Sequence, residues 1–125
     1  MIQYNGLTLA YIGDAYFELA VRNYLLDKGI TKVNDLHTNA ILYTNANSQA
    51  KIARKLIKDF YSDNEINIYK RGRNSNSTHK PKNSDVITYN TSTGFEAVIG
   101  YLYLDSQFDR LDKLLKKSFS IIEKL

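Results

Sequence analysis

The chain has no cysteine and no tryptophan, and it has one proline and one methionine in 125 residues. Without cysteine it has no disulfide framework, no thiol nucleophile and no cysteine-ligated zinc, a composition compatible with a reducing compartment. With two histidines, imidazole chemistry has little to work with. No apolar run reaches the roughly 18 residues that a membrane span needs, because Asp14 and Glu18 interrupt the best candidate. Met1-Ile2-Gln3-Tyr4-Asn5-Gly6 lacks the basic region and cleavage site of a secretory signal. The expectation is a cytoplasmic chain with no membrane partner. One more thing is missing: between Glu65 and Asp85 there is no acidic residue.

That gap in acid is where base collects. Lys70, Arg71, Arg73, Lys80 and Lys82 fall in it, whereas the rest of the sequence is nearly balanced, so the formal charge of +4 is expected to reside in this segment. Localised positive charge is the footprint of a polyanionic partner. The remaining composition, 43% hydrophobic and 24% charged, is that of an ordinary globular chain. The length suits a single domain, 1–125, with a sizeable core.

Periodicity points to an all-α fold. One helix is expected from about Leu7 to Lys28, stopped by Gly29. A second starts near Asn34 or Asp35 and runs to about Tyr43. A third, capped by Asn47, places Ile52, Ala53, Leu56, Ile57 and Phe60 at helical spacing. A fourth begins at Ser62 or Asp63 and runs into the basic segment. Residues 72–89 read as a loop, with Asp85-Val86-Ile87-Thr88-Tyr89 open to an extended form. Two further helices follow, about Ser92–Leu104 and Phe108–Leu125. In the last, Phe108, Leu111, Leu114, Leu115, Phe119 and Ile122 form one stripe. A loop this long in a compact domain is usually functional or disordered, and this one carries the charge.

Two acids stand out against their surroundings. Leu7 to Val21 is apolar almost all round, yet it contains Gly13-Asp14. A helix of that composition wants burial, and a buried carboxylate must find a partner or a cation. Gly13 adds a penalty of about 1 kcal/mol relative to alanine. Thr93 to Leu104 is a second apolar helix whose lone acid is Glu96. If the two helices pack, Asp14 and Glu96 converge, and hard oxygen donors with open positions suit Mg²⁺ or Mn²⁺. Glu18, at i+4 from Asp14, projects from the same face and is a further candidate. The structural alternative is an ion pair of Asp14 with Arg22 or Arg54, or Glu96 complementing a helix dipole. A carboxylate-held metal beside a phosphate-binding surface is what metal-assisted phosphodiester hydrolysis requires.

The segment Tyr69 to Ser84 mixes Lys70, Arg71, Arg73, His79, Lys80 and Lys82 with Ser, Thr and Asn. Such groups bind phosphate and sugar oxygens. Few aromatics are interleaved, which favours backbone contacts on a duplex over stacking with unpaired bases. His79 contacts phosphate at most, and His37 belongs on a helix surface. The ten tyrosines are mostly at helical spacing and serve packing. A helix apolar on every side in so small a domain lacks neighbours to cover it, which a twofold homodimer would supply.

Taken together, these stretches resemble the catalytic domain of the ribonuclease III family, most closely its Mini-ribonuclease III branch. Leu9-Ala10-Tyr11-Ile12-Gly13-Asp14-Ala15 is similar to the family's signature helix, and Phe95-Glu96-Ala97-Val98-Ile99-Gly100 to its second acidic motif. Lys70-Arg71-Gly72-Arg73-Asn74 followed by Pro81-Lys82-Asn83 is similar to the basic loop of the Mini branch, in which no double-stranded-RNA-binding domain follows. The resemblance implies an all-α helical bundle, homodimeric, that cleaves double-stranded RNA with Mg²⁺ and leaves 5′-phosphate ends. It implies Asp14 and Glu96 as catalytic and metal-ligating acids, and maturation of the large-subunit (23S) ribosomal RNA precursor as the task, with a ribosomal protein as a candidate further partner. This chain departs from larger family members, which carry glutamates where it has Leu7 and Ala10 and an aspartate where it has Thr93. Asp35 is a weak candidate for a further family acid. The departures leave open the number of metals. They also keep two other readings in play: a non-catalytic RNA-binding or ribosome-assembly module, and a helical protein that binds an acidic partner.

Overall fold

A computed structural model describes residues 3–75 and 85–125. Among the described residues the regular structure is entirely helical: α1 (Gly6–Asp27), α2 (Val33–Thr44), α3 (Ala46–Asp59), α4 (Asp63–Asn74), α5 (Val86–Leu104) and α6 (Phe108–Glu123). No helix among them is long and apolar enough to cross a membrane.

The helix ends follow from local chemistry. Asn5 caps α1 by accepting from the Thr8 amide at 2.8 Å, and Asn45 does the same for α3 through Ser48. Ser62 and Glu65 close a reciprocal capping box on α4. Gly29, at φ 94°, stops α1: its amide and that of Ile30 return to the Leu26 and Leu25 carbonyls, as the left-handed cap requires. α5 stops in the same way at Ser106, where a non-glycine residue holds φ at 58°.

The apolar centre is α5, which is buried on nearly every side and takes α1, α3, α4 and α6 around it. Phe95 meets Phe17 edge-on at 5.1 Å, and Phe17 stacks toward Phe119 of α6. The α6 stripe buries Leu111, Leu114, Leu115 and Phe119, as its spacing predicts, whereas Phe108 stays exposed. Two ionic clamps pin the outer helices. Arg110 makes a two-pronged bond to Glu65, at 2.7 and 2.8 Å, and also donates to the Phe60 carbonyl. Burial alone would push the Glu65 carboxyl up, but the Arg110 fork and the Ser62 cap hold it below its ordinary value. Glu123 accepts from Tyr24, Lys28 and Tyr43, tying the end of α6 to α1 and α2.

The expected loop is shorter than its composition suggests. α4 continues through Arg73 to Asn74, and α5 begins at Val86, with Asp85 as its cap accepting from Thr88 at 2.7 Å. Residues 86–89 are therefore helical, and Asp85 alone of the stretch is extended. Asp and Thr serve loops and helices alike: Asp85 caps α5, and Thr91 and Thr93 bond their hydroxyls back to carbonyls four residues earlier in the helix.

Candidate active site

The site is built by the crossing of α1 and α5, and glycine makes that crossing possible. A Cβ on Gly13 would stand 1.7 Å from the Glu96 carbonyl oxygen, and one on Gly100 would stand 1.9 Å from that of Leu9. The two backbones touch, so the residue after Gly13 is delivered to the side chain of Glu96. The carboxyl of Asp14 stands close enough to act on that of Glu96. Expected from sequence as a local penalty, Gly13 is here the hinge pin of the constellation.

The burial expected for Asp14 is not what the fold provides. Asp14 is exposed, on the outward face of α1, and Glu96 is the partly buried member. The environment shows in the proton affinity of Glu96. Burial, reinforced by the nearby carboxyl of Asp14, pushes the Glu96 carboxyl from 4.5 up to about 9. The amide of Gln49 opposes the rise, and the charge of Glu18 adds to it. Among the described residues neither Asp14 nor Glu96 makes an ion pair, Arg22 lies 3.9 Å from Glu18 instead, and Arg54 acts on Asp85. Neither Arg22 nor Arg54 therefore pairs with Asp14.

Gln49 is the residue beside the acids that the sequence does not single out. It is 2% exposed, and its Nε2 donates to the Thr44 carbonyl at 3.1 Å. Its amide also acts on the Glu96 carboxyl in favour of the charged form, while its Oε1 is buried without a partner. An orphaned acceptor beside an unneutralised carboxyl pair fits a hydrated cation, whose waters donate hydrogen bonds. The donor set also fits, since carboxylate oxygens are what Mg²⁺ and Mn²⁺ take. No group of three or more His, Asp or Glu side chains forms a ready cation cage among the described residues. Two carboxylates would leave coordination positions for water and substrate phosphate, as Mg²⁺ sites on phosphate substrates do. No sequence signal singles out Gln49, because a glutamine in the first turns of an amphipathic helix is ordinary.

The other candidates distribute unevenly. Glu18 reaches the site electrostatically but stands beside Arg22, on the rim of a cleft of about 360 Å³ that also includes His37. Asp35 sits exposed in the first turn of α2 and does not figure among the charges acting on Glu96. Thr93 is 5% exposed and donates its hydroxyl to the Tyr89 carbonyl at 3.0 Å, so that proton is not offered to the site.

The basic residues Lys70, Arg71 and Arg73 lie in the last turns of α4, not in a loop. A Cβ on Gly72 would stand 2.6 Å from that of Ala97 and 3.0 Å from the Gly94 Cα, so these turns cross α5 at the level of Glu96. Lys70 is exposed. Arg71 donates to the Tyr4 carbonyl, holding the chain that leads into α1. Arg73 lies over the Tyr69 ring at 5.6 Å and donates to Asn74 at 3.1 Å. His79, Lys80 and Lys82 lie outside the described residues.

An all-helical domain whose central crossing presents two acids beside a basic helix end is the arrangement of a known nuclease class. Residues 7–107 match the model of the ribonuclease III domain, and the chain belongs to the ribonuclease III family of endoribonucleases. Within it, the chain is similar to proteins named Mini-ribonuclease 3. It is 46% identical to that of Streptococcus pneumoniae over 95% of this chain and 94% of the relative, and 45% identical to that of Staphylococcus aureus over 94% and 89%. A crystal structure of a protein from Fusobacterium nucleatum superposes with a TM-score of 0.82 at 35% identity, covering 91% of each chain.

Proposed function

We propose that the protein is a divalent-metal-dependent endoribonuclease that cuts double-stranded RNA and matures the large-subunit (23S) ribosomal RNA precursor in the cytoplasm. The observation that carries the reading is the convergence of Asp14 and Glu96 with no cation among the described residues to neutralise them. Asp14 and Glu96 would hold Mg²⁺ or Mn²⁺, and Gln49 orients the Glu96 carboxylate from behind. The ion would supply Lewis acidity toward the scissile phosphate. Lys70 and Arg73 meet the phosphate backbone next to the acids, with His79, Lys80 and Lys82 extending the same charge along the sequence. Water attacks phosphorus in line and the bond to the 3′ oxygen breaks, leaving a 5′-phosphate and a 3′-hydroxyl.

A homodimer fits this chemistry, because cutting both strands takes two sites. Support comes from the outward face of α1, where Tyr11 is 79% and Leu19 56% exposed, with Leu42 of α2 at 56%. Apolar side chains of that size in neighbouring helices suit a twofold interface.

Incubation of a ribosomal-precursor duplex with the protein, in Mg²⁺ and in chelator, tests the reading. Cleavage to 5′-phosphate products only with the metal, and its loss by at least about a thousandfold in Asp14→Asn with duplex binding retained, is expected. Binding without cleavage by the unaltered chain would favour the non-catalytic module and overturn the proposal.

A further inference from the structure

The near-balance of charge outside the basic segment hides a second concentration. α3 carries Lys51, Arg54, Lys55 and Lys58 at i, i+3, i+4 and i+7, which places all four on one stripe about 10 Å long. All four are exposed, and none makes an ion pair among the described residues. They line a cleft of about 330 Å³ whose other walls are Ile121 and Leu125 of the α6 end, with no acid in its lining. The neighbouring Asp59 faces Lys117 at 4.0 Å.

The position of the stripe says what it faces. α3 runs opposite in sense to α5: Gln49, near its start, reaches Glu96, and Arg54, further along, acts on Asp85 at the start of α5. The buried side of α3 therefore faces the acidic pair, while Arg54 on its outer side lies toward Asp85 and the start of α5. Lysine is a point charge without geometric demands, suited to phosphates read by charge and not by sequence.

We propose that the outer face of α3 is a second phosphate-binding surface for duplex RNA, holding the helix beyond the catalytic pair and lengthening the footprint on the substrate. This rests on the reading of the protein as a double-stranded-RNA nuclease. The surface takes sugar–phosphate backbone irrespective of sequence. It makes long duplexes better ligands than short ones, with the α4 end gripping near the cut and α3 gripping further along.

The test compares the full chain with the variant Lys51→Gln, Arg54→Gln, Lys55→Gln, Lys58→Gln, which keeps the aliphatic stems. A second variant, Lys55→Glu alone, covers the case in which four changes disturb the fold. Binding of a 12- and a 30-base-pair duplex is measured in chelator as salt is varied. The expected result is at least about a tenfold loss of affinity for the long duplex, with the slope of log affinity against log salt shallower by about 0.7–0.9 for each cation that touches phosphate. The short duplex loses less, and Lys55→Glu moves the long duplex in the same direction. Unchanged affinity and slope for the long duplex would overturn the second surface while leaving the nuclease reading intact. Capture of an acidic peptide by the unaltered chain and not by the variant, with RNA binding equal in both, would assign the stripe to a protein partner and overturn it too. Failure of the unaltered chain to bind either duplex would overturn both readings at once.

Discussion

The chemistry concentrates in very few side chains. Glu96 is held in a protonated-like environment because burial and Asp14 both oppose its charge, and that has a thermodynamic signature. A carboxyl raised from 4.5 to about 9 binds its proton more tightly in the folded chain than in the unfolded one. Stability from this group is full below about pH 4.5 and is lost as pH rises toward 9 in the metal-free protein. In chelator, the melting temperature is therefore expected to fall between pH 5 and pH 9 by more in the unaltered chain than in Glu96→Gln, whose amide does not ionise. Parallel melting profiles for the two would contradict the dehydrated carboxyl. Asp14 and Glu96 could be picked out from sequence, because a lone acid in an apolar helix is conspicuous. Gln49 could not, because what distinguishes it is an unpartnered oxygen that exists only once α3 and α5 are packed.

At the scale of the elements, the crossing of α1 and α5 governs the site. Gly13→Ala places a methyl carbon where the Glu96 carbonyl already stands, so the helices must part. The expected outcome is destabilisation by about 3 kcal/mol or more in urea unfolding, against a propensity gain of about 1 kcal/mol that alanine brings to a free helix. A stabilised Gly13→Ala protein would mean the helices do not meet as described. Helix existence was legible throughout, since caps such as Ser62 and Gly29 and the α6 stripe announce themselves. The boundary of α5 was not legible, because Asp85, Thr88, Thr91 and Ser92 are residues of loops as well as of capped, back-bonded helices. Placing Lys70, Arg71 and Arg73 in α4 makes their spacing rigid, which a loop would not.

Across the described residues, positive charge gathers on particular helix faces, the end of α4 and the outer side of α3. A balanced sum of acids and bases outside residues 70–82 concealed the stripe on α3, since net charge carries no information about which side of a helix a lysine occupies. In the proposed reading, exposed apolar side chains of α1 and α2 such as Tyr11 and Leu42 take a second copy, and the basic end of α4 and the outer side of α3 take a polyanion. Whether Asp14 and Glu96 hold a cation together decides the chemistry. Calorimetric titration of the metal-free chain with Mn²⁺ answers it most directly. The account predicts saturable binding in the unaltered protein, weakened at least about tenfold in both Asp14→Asn and Glu96→Gln with the fold retained. Equal Mn²⁺ affinity in all three proteins would contradict it.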